Sequence, residues 1–352
     1  MTPSYLDGVR AQPENLRRSA EVVAAALAGP FGAGAAAAVR RGVLVAFGMG
    51  ASTHAATGFA ACLRRAGLPA MAVSASDLGD GIPRALGEAF LAISQSGRSR
   101  ETVAALADVP PGTAERYALT NDTSSPLAAA ADAVLPLGCG DDSAVSTLSY
   151  TATLQALGLL ADRMVGAASA DWDALPDLVA AALRADVAPL ADALAGASHV
   201  DVVASGPRVA TAGAVALLLR EAAHVPAAGF ATREYLHGPL ETVAPGRMVL
   251  LFGAGRELPL AVDVARYGAT VVLVTGTDDV PAHAGLTVLR LPAAGGLATC
   301  VLDVVPVQLA AHAVAERSGR NIELRYMPAD TKLPAGTARD DYGTGIDAAG
   351  TL

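Results

Sequence analysis

The sequence predicts an α/β protein made of two tandem parallel sheets, each covered by helices on both faces. Two observations carry that prediction. Continuous apolar strands alternate with helical stretches, the pattern of a sheet buried on both sides. The whole pattern then recurs about 155 residues further on. Composition agrees: 352 residues, 52% of them hydrophobic and 17% charged, describe a well-filled globule long enough for two domains.

Taken in order, a helix is expected from Pro13 to Leu27, within an N-terminal segment at 1–30. "GVLVAFGMGAST" reads as a buried strand that ends in a Gly-rich turn and feeds the helical "HAATGFAACLRRAG"; its counterpart is "HVDVVASGPRVATAGAVALLLREAA". "EAFLAISQSGRSRETVAAL" is strand, turn and helix, matched by "GRMVLLFGAGRELPLAVDVARYG". "RYALTNDTSSPLAAAADAVLPL" gives a strand, a polar turn with proline and a second short strand, matched by "ATVVLVTGTDDVPAHAGLTVLRLP". Each half closes on a long helix, "AVSTLSYTATLQALGLLADRM" and "LDVVPVQLAAHAVAERSG". The halves are placed at 31–168 and 195–320. A linker helix at 169–194, from near Trp172 to Leu194, joins them, and the Gly- and Asp-rich tail at 321–352 shows no packing pattern.

Several classes of function are excluded by the same sequence. Apolar runs such as "AVALLL" fall far short of the roughly 20 residues that span a bilayer, and "MTPSYLDGVRAQPENLRRSA" lacks the apolar core of a signal peptide. The chain is therefore expected in the cytoplasm, away from membranes. Cys62, Cys139 and Cys300 form no C-x-x-C pair and suit neither a disulfide framework nor a zinc site, so they are read as packing residues, with no metal or cofactor expected. A net charge of -9 and a pI near 5.1 argue against nucleic-acid binding. Any bound anion must be held locally. Among 25 basic residues there is a single lysine, Lys332.

In open parallel sheets, ligands gather outside the carboxyl ends of the strands. That rule selects the turns Gly48 to Thr53, Ser94 to Ser99, Asp141 to Thr147 and Ser205 to Arg208. The second half has "FGAGRE" where the first has "SQSGRS", so the hydroxyls are not demanded by the fold. Hydroxyls of Ser94, Ser96 and Ser99, with Ser52 from the neighbouring turn, would complete a ring of donors around a phosphate at a helix start, and Gly97 permits close backbone approach. The competing use of such serines is to cap the helix. Thr53 stands where a dinucleotide fingerprint needs glycine, and neither turn has G-K-[ST], so a small phosphorylated metabolite fits better than a nucleotide.

The second constellation is "LLLREAAHVPAAGFATREYLHGPLE". Its helix from Val209 to Leu219 is apolar on every face and must be buried. Arg220 and Glu221 interrupt it about 100° apart, so at least one charge lies near the interior. Alone, Glu221 would be an ion-pair partner and His237 a turn residue. Together, a carboxyl of raised pKa and a histidine near neutrality are the equipment for moving a proton between adjacent carbons beside a carbonyl.

With the tandem repeat, "SQSGRSRET", "DDSAVSTLSYTATL" and "REAAHVPAAGFATREYLHGPL" resemble the double SIS (sugar isomerase) fold, and look most like the isomerase half of the glutamine-fructose-6-phosphate aminotransferases. The resemblance runs from "AQPENL" to about Lys332. It implies an enzyme acting on a phosphorylated sugar or amino sugar. Ser52, Ser94, Gln95, Ser96 and Ser99 would hold the phosphate, and Gly50, Ala51 and Ala144 would line the sugar. Glu221 would move the proton between C1 and C2. His237 would open the ring, reaching the site from a neighbouring subunit, which implies a homodimer with composite sites. Lys332 falls within about two residues of the family lysine that serves ring opening or imine chemistry, a role that needs an amine able to lose its proton.

The departures bear on the reaction. The chain begins at the linker helix without a glutaminase half, so ammonia from glutamine is not expected. Leu218 replaces the first lysine of the family's "KLKE", Ala51 replaces a threonine, and "LAKSVTVE" is not recognisable in "MPADTKLPAGTARD". The expected outcomes are aldose-ketose isomerisation or deamination of a hexosamine phosphate, ahead of cleavage of a sugar-amine phosphate by a deglycase. A noncatalytic sugar-phosphate-binding or regulatory protein is the reading from another class. Arg98 and Arg100, absent from the family, either face solvent or read a substrate group.

Overall fold

The computed structural model describes residues 3–79, 86–280, 282–325, 329–334, 336–337 and 341. Two compact units share the chain. One comprises Arg17–Cys139, Gln155–Ser169 and Arg325–Leu352, the other Met1–Leu16, Gly140–Leu154 and Ala170–Leu324. The tail expected at 321–352 lies largely outside the described residues.

The first unit contains β1 (Leu44–Gly48), β2 (Ala70–Ser74), β3 (Ala89–Ile93), β4 (Glu115–Thr120) and β5 (Ala133–Pro136), all parallel, in the order β2-β1-β3-β4-β5. The second contains β6 (His199–Ala204), β7 (Ala227–Ala231), β8 (Arg247–Phe252), β9 (Thr270–Thr275) and β10 (Leu286–Arg290), in the order β10-β9-β8-β6-β7. Read from its own first strand, that is the same order. The repeat in sequence is thus a repeat of topology. Each sheet reverses its direction of growth beside its first strand, between β1 and β3 and between β6 and β8. Connections leave on opposite faces there and open a crevice at the carboxyl edge.

Central strands such as "LVAFG" and "AFLAI" are buried along their whole length, as their unbroken apolar runs require. The edge strands β2 and β7, "AMAVS" and "AAGFA", are half-buried, and β7 in particular is built of alanine and glycine, residues with little preference for strands, around one phenylalanine. They form because β1 and β6 pair with them. A Cβ on Gly229 would come 2.6 Å from the Ala212 carbonyl oxygen, so glycine lets β7 lie against the helix Val209–Leu218.

Two helical expectations are corrected. The N-terminal helix runs from Tyr5 to Ala28, not from Pro13, because Ser4 and Asp7 start it: the Asp7 amide donates to Ser4 Oγ at 3.2 Å and Ser4 Oγ donates to Asp7 Oδ2 at 2.6 Å. Pro13 is carried inside it. The linker is two helices, Asp171–Ala182 and Ala188–Gly196. Asp186 accepts from the Ala188 amide at 3.0 Å just before the second, and Pro189 sits in its first turn, where a missing amide costs nothing. The helix Gly296–Arg317 is long and apolar enough to cross a membrane, with a mean hydropathy of 1.6, but 78% of that window is buried inside the protein, as in a core helix.

Candidate functional site

In the first unit, Gly48 of β1 lies opposite Ile93 of β3, so the turns that follow both strands leave the carboxyl edge side by side at the reversal point. A Cβ on Gly48 would stand 2.7 Å from the Ile93 carbonyl oxygen and from Ser52 Cβ. Gly97 has φ +63°, and a Cβ there would run into Ser125 Oγ. Backbone bonds fasten the turn: the Gly97 amide to the Ser94 carbonyl at 3.0 Å, the Asn121 amide to the Gln95 carbonyl at 2.9 Å, and the Leu127 amide to the Gly97 carbonyl at 3.0 Å.

The serine hydroxyls take little part in this scaffolding. Ser99 occupies the N-cap of the helix Arg100–Ala107, yet its side chain makes no capping bond. It meets Ser94 Oγ at 3.1 Å instead. The side chains of Ser52, Gln95 and Ser96 bond to no described residue. Gly50, with φ +55°, precedes the helix Ala51–Arg65 and has no side chain to cap it with. Two helix N-termini without side-chain caps therefore converge on one edge beside hydroxyls that the scaffold does not use, a setting suited to an anion.

The tail is not loose where it is described. Lys332 forms an antiparallel bridge with Ser99, and the Leu333 amide donates to the Arg98 carbonyl at 2.9 Å. Leu333 is 1% exposed and joins the core formed by Val45, Phe47, Phe90 and Leu106. Arg98 Nε donates to the Leu333 carbonyl, and Arg100 Nε to the Asp330 carbonyl, each at 2.8 Å. The one lysine is thereby brought to the serine turn, its side chain exposed.

In the second unit, the helix Val209–Leu218 is buried as expected and widens into a π-helical turn at Leu219–Ala223. That turn ends at His224, which at φ +53° is the one non-glycine residue of positive φ among those described. Such departures from regular helix cost energy and mark places where a side chain must be aimed. Glu221 sits on this turn. Burial pushes its carboxyl above the usual carboxylate range, and the Arg220 charge draws it part of the way back. Arg220 itself points outward and donates to the Ala216 carbonyl at 3.2 Å, so the two do not form an ion pair.

Beside this turn is a cavity of about 480 Å³ lined by Tyr5, Ser143, Ala144, His312, Glu316 and Arg320 among others. Arg320 Nη2 donates to the Ala223 carbonyl at 2.6 Å. The Tyr5 hydroxyl is pushed well up, first by burial and then by the charges of Asp142 and Glu221. Asp142 shapes the loop that carries Ala144: it accepts from the amides of Ser143, Thr147 and Ser149 at 2.8, 2.9 and 2.9 Å, capping the helix Leu148–Val165 and leaving Ala144 exposed. Ala144 lines this cavity, and the Glu221 charge acts on Tyr5, which lines it too. Tyr5, Asp142 and Arg320 were not anticipated. Only Asp142 carried a signal, as an acidic residue just before a helix.

His237 lies elsewhere. It sits exposed in a turn anchored by Tyr235, which is fully buried and donates to Asp201 Oδ2 at 3.0 Å. Tyr235, Leu236, Leu240 and Val243 pack with Val203, Val249 and Leu251 on one face of the second sheet. No residue of the helix Val209–Leu218 belongs to that cluster, although this helix packs on β6 and β7. Right-handed connections explain the separation: β6 to β7 steps toward one edge and β7 to β8 returns past β6 toward the other, so the two use opposite faces. The helix that leads to Glu221 and the turn that carries His237 therefore pack on opposite faces of the second sheet.

The carboxyl-edge turns of the second unit are filled by the protein itself. Glu257, 1% exposed, stands where the first unit has Ser99; it accepts from Thr232 Oγ1 and from the Gly255 amide at 3.3 Å. Arg208, in the other turn, grips Asp303 through Nε at 2.8 Å, and Thr211 Oγ1 adds a bond at 3.1 Å. Internal carboxylates occupy the second reversal point. Among the described residues there is no cluster of His, Cys, Asp and Glu able to hold a metal.

Residues 40–163 match the SIS domain family. The chain's curated relatives include the isomerizing glutamine-fructose-6-phosphate aminotransferase of Caulobacter vibrioides, 28% identical over 259 residues, which are 67% of this chain and 43% of the relative. The chain thus spans less than half the length of the relatives it matches. The C-terminal domain of glucosamine-fructose-6-phosphate aminotransferase from Francisella tularensis has a TM-score of 0.80 at 20% identity, covering 91% of this chain and 97% of that one. Glucosamine-6-phosphate deaminase from Thermotoga maritima gives 0.74 at 20%, covering 92% and 98%. The fold is that of these phosphosugar proteins, two five-stranded parallel sheets flanked by helices.

Proposed function

We propose that the protein acts on a hexose or hexosamine phosphate, opening its ring and moving a proton between C1 and C2, as a phosphosugar isomerase or amino-sugar-phosphate deaminase does. The observation that carries this is the contrast between the reversal points: one is filled by Glu257 and Asp303, the other keeps its hydroxyls free of the scaffold. Both units are read as SIS domains. Ser52, Ser94, Gln95, Ser96 and Ser99 take the phosphate, aided by the amides of two helix starts. Gly50, Ala51 and Ala144 line the sugar.

Glu221 is the base. It takes the C2 proton of the open-chain aldehyde and returns it to C1. With a hydroxyl on C2 the product is the ketose phosphate; with an amino group it is a ketimine, which water hydrolyses to ketose phosphate and ammonia. His237 of a second copy opens the ring by moving a proton between the ring oxygen and O1, and Lys332 assists ring opening or imine exchange. The packing of the helix that leads to Glu221 and of the turn that carries His237 on opposite faces of one sheet supports a homodimer with composite sites. A cytoplasmic setting suits a sugar-phosphate substrate.

Incubation with glucosamine 6-phosphate, with ammonia and fructose 6-phosphate as readouts, tests the reading. Equal release of both marks a deaminase; interconversion of glucose and fructose 6-phosphates without ammonia marks an isomerase. Thermal stabilisation by these ligands with no product from any of them would instead leave a noncatalytic sugar-phosphate-binding protein.

A further inference from the structure

We propose that Arg98 and Arg100 are positioning residues that hold residues 329–334 across the serine turn and so present the Lys332 amine there. This rests on the serine turn being the phosphate site. The two arginines flank Ser99, the residue whose backbone pairs with Lys332, so a clamp stands on each side of the bridge. Arg98 Nε reaches the carbonyl after Lys332, at Leu333, and the Leu333 amide answers to the Arg98 carbonyl, closing a small ring of bonds. Arg100 Nε reaches the carbonyl two residues before Lys332, at Asp330.

Among the described residues, the strap's contacts other than Leu333 are backbone and guanidinium hydrogen bonds. Ordering each of its residues costs backbone entropy, and a single buried leucine offsets only part of that. Removing the guanidinium groups should therefore free the strap while leaving the serine turn, which is fastened by its own backbone bonds, intact. Arginine suits the task better than lysine because its planar head loses less freedom on forming such a bond and stays charged.

Because Lys332 is the only lysine, an amine-selective acylating reagent reports on one side chain beside the N-terminal amine. Full-length wild type, R98A/R100A and R98K/R100K are compared in two ways: deuterium uptake at 329–334, and the acylation rate of Lys332 with and without inorganic phosphate. In wild type, phosphate should slow acylation several-fold. In the alanine pair, uptake at 329–334 should rise at least tenfold and phosphate should no longer protect Lys332, while phosphate affinity read by thermal shift stays within about threefold. The lysine pair should fall between. Unchanged uptake in the alanine pair, or a loosened strap in which phosphate still protects Lys332 fully, overturns the proposal. If phosphate does not shift wild type at all, the phosphate reading of the turn fails instead, and the uptake comparison still decides whether the arginines hold the strap.

Discussion

Glu221 lies in a π-helical turn, where its carboxyl is partly buried. Its pKa is raised on folding, so the folded chain holds this proton more firmly than the unfolded one. The stability that goes with the protonated form is fully present below the unfolded value, about 4.3, and is lost as pH rises through the raised folded value. Replacing the carboxyl by its neutral isostere removes that loss. Glu221→Gln should therefore melt no lower than wild type at pH 7, and its midpoint should fall less between pH 4 and pH 7. Turnover should drop by about 10²–10⁴, the usual worth of a positioned base. A variant that melts normally and turns over at the wild-type rate removes Glu221 from its role. Gly97 is constrained differently, since its φ is positive and Ser125 fills the space of a side chain. Gly97→Ala should cost roughly 1–3 kcal/mol in urea unfolding, with phosphate-induced stabilisation lost as well.

Among the elements, the two repeats set up a direct comparison, because Ser99 and Glu257 occupy the same place in matching turns. Ser99 shares one hydroxyl contact and caps nothing, so Ser99→Ala should cost under about 1 kcal/mol while abolishing phosphate-induced stabilisation. Glu257 satisfies Thr232 and Gly255 in a buried turn, so Glu257→Ala should cost about 1–3 kcal/mol and leave phosphate binding unchanged. Equal effects of the two on stability, or on binding, would contradict the idea that one turn is a site and the other is structural. The sequence distinguished these turns by composition, and it made the central strands legible through their unbroken apolar runs. What stayed hidden was whatever depends on a partner distant in sequence. The edge strands β2 and β7 exist through pairing rather than propensity, the strap exists through Leu333, and the cavity depends on Tyr5, which precedes the point where Pro13 suggested that the first helix begins. Arg98 and Arg100 had no role legible in sequence for the same reason: their partners are backbone carbonyls of residues 330 and 333.

For the molecule as a whole, the helix that leads to Glu221 and the turn that carries His237 pack on opposite faces of one sheet. If both act on the same sugar, the histidine must come from a second copy, and a symmetric dimer supplies it reciprocally, each chain giving its own Glu221 and borrowing a histidine. A mixture can test this. Glu221→Gln and His237→Asn, each inactive alone, are combined as unfolded or dissociated chains and allowed to reassociate. In a mixed dimer, one site receives both substitutions and the other receives neither. Random pairing makes about half of the dimers mixed, and half of their sites are intact, so about a quarter of wild-type turnover per chain should return. The regained activity should rise with the time allowed for exchange and should be absent when the variants are mixed without it. No recovery in demonstrably mixed dimers would mean that each chain works alone, and His237 would then have to act through the surface of its own subunit rather than at the Glu221 site.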